Sequence, residues 1–299
     1  STCPDPLIGP AGLATRYRRL GGRASFLRRP PFTARRAVDA GLPFVVKGDM
    51  GKTITPYSND FLTDYPTVPV ENPQRISAIM ESIGGLVDLV EPEPCGPEDL
   101  LPCHSESLIR SVEREGDIFP VALKAAGGAI LAALSCFRRR SFAVIRPPGH
   151  HAGRNFNGGF CFFNNMAIAV SHLLRQGIAQ RVLIVDIDLH FGNGTDDIFR
   201  NDGHVEFRNI SAFNRDEFFA ELERSLQDAG NFDVLGCSAG FDTYVHDWGG
   251  ILFTADYHRI GAMIASANSK TFVILEGGYY IPDLGKNVRS FLQGMTEMC

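Results

Sequence analysis

A single-domain α/β fold, a parallel sheet with helices on both faces in three layers, is what this sequence predicts. Two observations carry the prediction. Four short apolar runs, at 142–145, 182–187, 232–237 and 272–275, alternate with helical stretches near 164–176, 216–228 and 256–267, and that alternation favours right-handed crossovers between parallel strands. Each run also carries or leads into a polar or glycine-rich signature: RPPGHHAG, DIDLHFGNG, SAGFD and LEGGYY. In an open parallel sheet these four fall at the carboxyl end of the strands, where ligands bind, so they converge on one site.

The chain of 299 residues is long enough to bury one large core, and 44% hydrophobic with 21% charged residues is ordinary globular composition. A net charge of -5 argues against broad nucleic-acid binding. No uninterrupted apolar run looks long enough to cross a bilayer, so neither nucleic acid nor membrane is expected as a partner. The seven cysteines, Cys3, Cys95, Cys103, Cys136, Cys161, Cys237 and Cys299, are scattered, odd in number and without a CxxC pair. They read as reduced, packed thiols and, without a charged-then-apolar leader, point to a cytoplasmic protein.

Taken in order, residues 1–44 are rich in Arg, Pro and Gly and read as a poorly ordered extension, with the catalytic domain over 45–299. PFVVKGD at 43–49 suggests a first short strand. Pro66, Pro69 and Pro73 stiffen a loop before a helix over 74–83, and further helices are expected over 106–115 and 121–137. The helix near 216 has a start signal, Asn214 with Glu217 three residues on.

The chemistry begins at Asp186, Asp188 and His190. On an extended strand these alternate residues share one side, and two carboxylates beside an imidazole are costly to bury unless a cation or proton compensates them. The following Gly-Asn-Gly would turn the backbone sharply. A catalytic zinc takes three protein ligands and keeps one position open. Asp188 and His190 supply two, and Asp242 in SAGFD is the best third. Asp186 would sit deeper, orienting an imidazole or helping to hold another cation.

His150 and His151 follow a stiff Pro-Pro-Gly segment. Such a pair can divide labour, one taking a proton and the other giving one, if their environments separate their pKa values. Tyr279, directly after Glu276-Gly277-Gly278, could donate a hydrogen bond to an oxyanion, and its place beside the glycines favours it over Tyr280. In GGFCFFNN, Gly159 and Phe160 suggest one wall of a narrow apolar channel.

RPPGHHA, GFCFFNN, DIDLHFGNGT, SAGFD and LEGGY, in that order, resemble the zinc-dependent histone deacetylase superfamily, which includes acetylpolyamine amidohydrolases and prokaryotic deacetylase-like proteins. The resemblance runs from about residue 43 onward. It implies an arginase-deacetylase fold with one zinc held by Asp188, His190 and Asp242, a His150–His151 pair, and a transition-state tyrosine at Tyr279. It implies that Asp186 orients the first histidine and Asn193 stands beside the second, where asparagine resembles the class II and acetylpolyamine branches. A potassium ion near Asp186, Asp188, His190 and Ser211 is implied as well.

The implied reaction is metal-assisted hydrolysis of an acetyl or other acyl amide of lysine in a peptide or of a small amine, with the assignment of acid and base between the histidines left open. This sequence departs from the resemblance in three places. Phe191 stands where many members have a second histidine, Gln74 replaces the acid of a Pro-Glu-Arg loop, and the rim segment 203–215 is short. Two other readings compete, an arginase-like dimanganese ureohydrolase on the same fold and a catalytically silent acyl-lysine binder.

Overall fold

The computed structural model describes residues 52–297. The expected N-terminal extension and the strand read at 43–49 lie outside them. Seven strands form one sheet: β1 (Thr53–Pro56), β2 (Val87–Val90), β3 (Ser141–Ala143), β4 (Val182–Asp186), β5 (Val205–Asn209), β6 (Val234–Ala239) and β7 (Thr271–Leu275). All pairings are parallel, in the order β2-β1-β3-β7-β6-β4-β5.

Every residue of β3, β4, β6 and β7 is buried. Strands covered on both faces need apolar side chains on both, which is why these four read as continuous apolar runs. The edge strands β2, VDLV, and β5, VEFRN, are half-exposed and mix charged with apolar residues, and β1 carries the buried threonines Thr53 and Thr55. None of those three announces itself by hydrophobicity.

Nine α-helices complete the described residues: α1 (Gln74–Ile83), α2 (Pro97–Leu100), α3 (Glu106–Glu113), α4 (Ile118–Ser135), α5 (Asn165–Arg175), α6 (Asn193–Phe199), α7 (Arg215–Leu226), α8 (Thr254–Ala267) and α9 (Ile281–Thr296). They pack in two groups, α9 against α8 and α1, and α4 against α5, the helical layers of a three-layer α/β fold. The expected cap of α7 is formed: Asn214 Oδ1 accepts from the Glu217 backbone N–H at 3.0 Å. The reciprocal bond shifts by one residue, since Glu217 Oε2 accepts from the Phe213 N–H.

One expectation needs correcting. Helix α4 has 18 residues and a mean hydropathy of 1.7, enough by length and composition to cross a membrane. Its apolar character has a local cause, because 67% of that window is buried against α5 and strands β1, β3 and β7.

The loop that carries the paired histidines is fastened by a third. His104 is buried, with Nδ1 donating to the Gly153 carbonyl at 2.9 Å and Nε2 accepting from the Asn164 N–H at 2.9 Å. Only the neutral ring can do both. Burial, with the nearby Arg154, lowers its pKa from 6.5 to about 4, against the bond to Gly153. A depressed histidine pKa means that the unfolded chain binds the proton first, so the contribution is complete above pH 6.5 and is lost as pH falls towards 4. Urea unfolding across that window should show a loss of roughly 3 kcal/mol from this group. His104→Gln should be less stable at pH 8 and flatter below pH ~6.5; a slope parallel to that of the native chain would refute the assignment.

Candidate active site

The strands that carry the four signatures are neighbours, β3-β7-β6-β4 in the middle of the sheet. Parallel pairing brings their carboxyl ends together, so the convergence expected from the sequence is formed. The row Asp186-Asp188-His190, however, leaves the strand after its first member. Strand β4 ends at Asp186, and each acid then folds the chain back by accepting a backbone N–H two residues on: Asp186 Oδ1 from Asp188 at 3.0 Å, Asp188 Oδ1 from His190 at 2.9 Å. Short acidic side chains compete with ladder bonds in this way, and two successive turns replace the extended row. Gly192 is needed for proximity rather than for a left-handed turn. Its φ is -72°, and a Cβ there would strike the Asp186 carboxylate.

Asp188, His190 and Asp242 each direct one ligand atom into a common space, all within 4.8 Å of one another. His190 Nδ1 lies 3.3 Å from Asp188 Oδ1 and 3.0 Å from Asp242 Oδ2. The outer oxygens are held by backbone: Asp188 Oδ2 accepts from Gly277 N–H at 2.8 Å and Asp242 Oδ1 from Leu189 N–H at 3.1 Å. Asp242 Oδ2 is buried without a hydrogen-bond partner, since His190 Nδ1 is near but out of line for a bond. A carboxylate oxygen orphaned at full burial is costly. A cation at this point would satisfy it, and two oxygens with one imidazole nitrogen suit zinc. A Cβ on Gly277 would lie 2.6 Å from Asp188 Oδ2 and 2.9 Å from Asp242 Oδ2, so the backbone closes the cradle only as glycine. His190 keeps 42% of its side chain exposed, which leaves one side open.

Burial and then the Asp188 charge push the Asp242 carboxyl up to about 7. The adjacent carboxylates, Asp188 first and then Asp242, raise His190 to about 10. Burial opposes the ionised form of Asp188, yet the His150 ring and the donors from His190 and Gly277 outweigh it, and its pKa is lowered.

The two histidines stack 4.0 Å apart between ring centroids and have different partners. His150 Nδ1 is 3.0 Å from Asp186 Oδ2 and its Nε2 3.7 Å from Asp188 Oδ1. Burial lowers its pKa, but Asp188 and Asp186 prevail and hold it well above 6.5. His151 Nδ1 meets the Asn193 amide oxygen at 2.7 Å. Burial and the neighbouring His150 lower it to about 4. The two imidazoles are thus shifted in opposite directions.

Tyr279 lies against Trp248, with centroids 4.5 Å apart and planes at 27°, and meets Phe160 edge-on at 5.8 Å. Burial raises its pKa against the pull of Arg75, so it stays a protonated donor. Tyr280 is 36% exposed and its ring packs towards Tyr244 and His246. Phe160 adopts φ 68° directly after Gly159 at φ 55°, a left-handed pair that turns the phenyl ring towards Tyr279. A Cβ on Gly159 would collide with the His151 ring.

Several residues within the quoted motifs, and one outside them, have supporting roles that the motifs do not reveal. Arg75 is fully buried; its Nε donates to the Gly278 carbonyl at 2.7 Å and a terminal nitrogen to the Glu276 carbonyl at 2.5 Å. Glu71 pairs with both Arg75 and Arg146, while Gln74 is exposed and takes no part in the cluster. Glu276 accepts from Gly149 N–H, His150 N–H and Ser238 Oγ. His150, Cys161 and Glu276 form a second group with metal-ligand spacing, but those bonds already occupy the carboxylate. Sequence spacing offers no signal for Arg75, whose partners lie about 200 residues away.

Ser211 is the least supported of the expected residues. It is exposed, its Oγ accepts from Asn209 at 3.2 Å, and it lies two residues beyond the Asp186–Asn209 register pair. The segment 203–215 is a rim loop only in part, because β5 occupies its middle. Phe191 is half exposed and packs edge-on against Phe207.

Residues 69–232 match the model of the histone deacetylase domain. Acetylpolyamine amidohydrolase 1 of Pseudomonas aeruginosa is 38% identical over 193 residues, covering 52% of this chain and 56% of that protein. The chain thus spans about half the length of that curated relative. A probable deacetylase of Methanothermobacter thermautotrophicus is 32% identical over 283 residues, covering 76% of this chain and 85% of that protein. The crystal structure of the HDA15 HD domain shares the fold, with a TM-score of 0.74 at 24% identity over 83% of this chain and 89% of the other. With the domain model matching more than half of its length, over a stretch that holds the histidine pair, Asp188 and His190, the chain belongs to the histone deacetylase family.

Proposed function

We propose that this protein is a zinc-dependent amidohydrolase that removes acetyl or related acyl groups from small amines or lysine side chains. One observation carries the reading: the orphaned Asp242 Oδ2 facing Asp188 and His190, beside two differently partnered imidazoles. The name of the Pseudomonas aeruginosa relative supports an acetylated small amine as substrate, with acetyl-lysine peptide as the other candidate.

Asp188, His190 and Asp242 would hold the metal, which supplies Lewis-acid polarisation of an acyl carbonyl and a more acidic water. His151, with Nδ1 turned to Asn193, presents Nε2 as a proton acceptor. His150, between Asp186 and Asp188, is suited to holding a proton for the leaving amine. Tyr279 keeps its phenolic proton and can donate to the developing oxyanion. Gly159 and Phe160 would line the approach.

A potassium ion beside Asp186, Asp188 and His190 belongs to the same reading, supported by the burial of the two carboxylates, with Ser211 as its weakest ligand. The catalytic unit is taken as 45–299, and a cytoplasmic setting is supported by five buried, unbridged cysteines among the described residues. A dimanganese ureohydrolase would need further free carboxylates, whereas Glu276 in the second ligand group is already spent. The silent-binder reading is weakened by filled positions at both histidines and Tyr279.

Zinc added to the EDTA-treated protein should raise its melting temperature, by an amount equivalent to about 2.7 kcal/mol at a hundredfold excess over Kd, and Asp242→Ala should abolish the shift. No shift in the native chain would remove zinc from the assignment. In a turnover screen on acetylpolyamines, acetyl-lysine peptides and longer acyl amides, Tyr279→Phe should lower kcat roughly 100- to 1,000-fold. Equal, slow rates for both proteins on every substrate would refute the mechanism.

A further inference from the structure

The glycines before Tyr279 give its loop no side chains of its own to pack, so its position depends on what grips the backbone. Arg75 takes the carbonyls of Glu276 and Gly278 on one side. On the other side stands Asp247, in the loop that leaves the candidate ligand Asp242. Its Oδ2 accepts from the Tyr279 N–H at 2.6 Å and the Tyr280 N–H at 2.7 Å, and its Oδ1 accepts from the Trp248 N–H at 2.8 Å. The same loop is tied back to the ligand, because the Gly249 N–H donates to the Asp242 carbonyl at 2.8 Å.

We infer that Asp247 is the positioning residue for Tyr279: one carboxylate fixes the tyrosine backbone and, through Trp248, the ring stacked on its phenol, and so ties the oxyanion donor to the loop of Asp242. A carboxylate can serve three N–H donors on two oxygens. Asparagine has one acceptor oxygen and cannot, although it has the same shape. Trp248 also meets His190 edge-on at 5.7 Å, so the indole spans the ligand and the phenol that Asp247 holds in register. This inference rests on the proposal that Tyr279 is the oxyanion donor. It adds a residue that does not touch substrate and acts only through another.

Two readouts test it. In turnover, Asp247→Asn should lower kcat roughly 10- to 100-fold with KM changed less than about threefold. In a Tyr279→Phe background the same substitution should cost little more, because the group it positions has already gone. Asp247→Glu, which keeps both oxygens on a longer arm, should recover part of the rate and serves as the test if the asparagine variant does not fold. Trp248 is the single tryptophan of the chain, so its emission and anisotropy report the stack on Tyr279 even if no substrate is turned over. Asp247→Asn should shift both, as should Tyr279→Ala. An unchanged kcat, a loss of equal size in both backgrounds, or an unchanged Trp248 spectrum would each overturn the inference. Absence of turnover in the native chain would count against the hydrolase reading alone.

Discussion

Four carboxylates, Asp186, Asp188, Asp242 and Glu276, are buried at the ends of adjacent strands, and their mutual repulsion is the constraint around which the site is arranged. Like charges held close at low dielectric cannot all ionise without compensation. Each acid is answered differently. Glu276 takes two backbone N–H groups and a hydroxyl, Asp186 faces His150, Asp188 takes backbone donors and the His150 field, and Asp242 keeps one oxygen with no donor. The uncompensated remainder lies at one point, which is where a divalent ion would add most.

The surrounding scaffold holds these groups by backbone contacts more than by side-chain packing. The Asp186 and Asp188 turns, the Asp242 bond to Leu189 and the Gly277 bond to Asp188 fix carboxylate directions through peptide N–H groups. A buried ionic cluster then joins distant parts of the chain. Glu71 pairs with Arg75 and Arg146, and Arg146 lies over the Tyr65 ring at 3.8 Å. Buried ion pairs give little net stability, but breaking one leaves an unpaired charge, so such a cluster enforces one geometry.

Much of this was legible in the sequence, for a physical reason. Strands β3, β4, β6 and β7 are buried on both faces, so their residues are apolar throughout, and chemistry at their carboxyl ends follows at once in the text. The triad, the histidine pair, Asp186, Asn193 and Tyr279 all fall within such signatures. What escaped is set by distance or by local competition. Arg75 and Trp248 act on partners far along the chain, β2 and β5 are edge strands with mixed polarity, and β4 stops short because Asp186 and Asp188 prefer turns to ladder bonds. Helix α9 shows an apolar face in Leu284, Val288, Phe291, Leu292 and Met295, while Gly285 and Gly294 dilute its helical propensity.

The placement of β7 has a consequence for how the molecule assembles. It is the last strand among the described residues, yet it lies between β3 and β6 and is the only joint between β2-β1-β3 and β6-β4-β5. The paired histidines follow β3 on one half-sheet, while Asp188 and Asp242 follow β4 and β6 on the other; apart from β7, the halves meet through loop and side-chain bonds such as His150 Nδ1 to Asp186 Oδ2 and His151 Nδ1 to Asn193 Oδ1. Insertion of residues 271–275 zips the halves together and delivers the tyrosine loop in the same step. Until residues 271–275 are in place, the two histidines and the acids that face them have no strand in common.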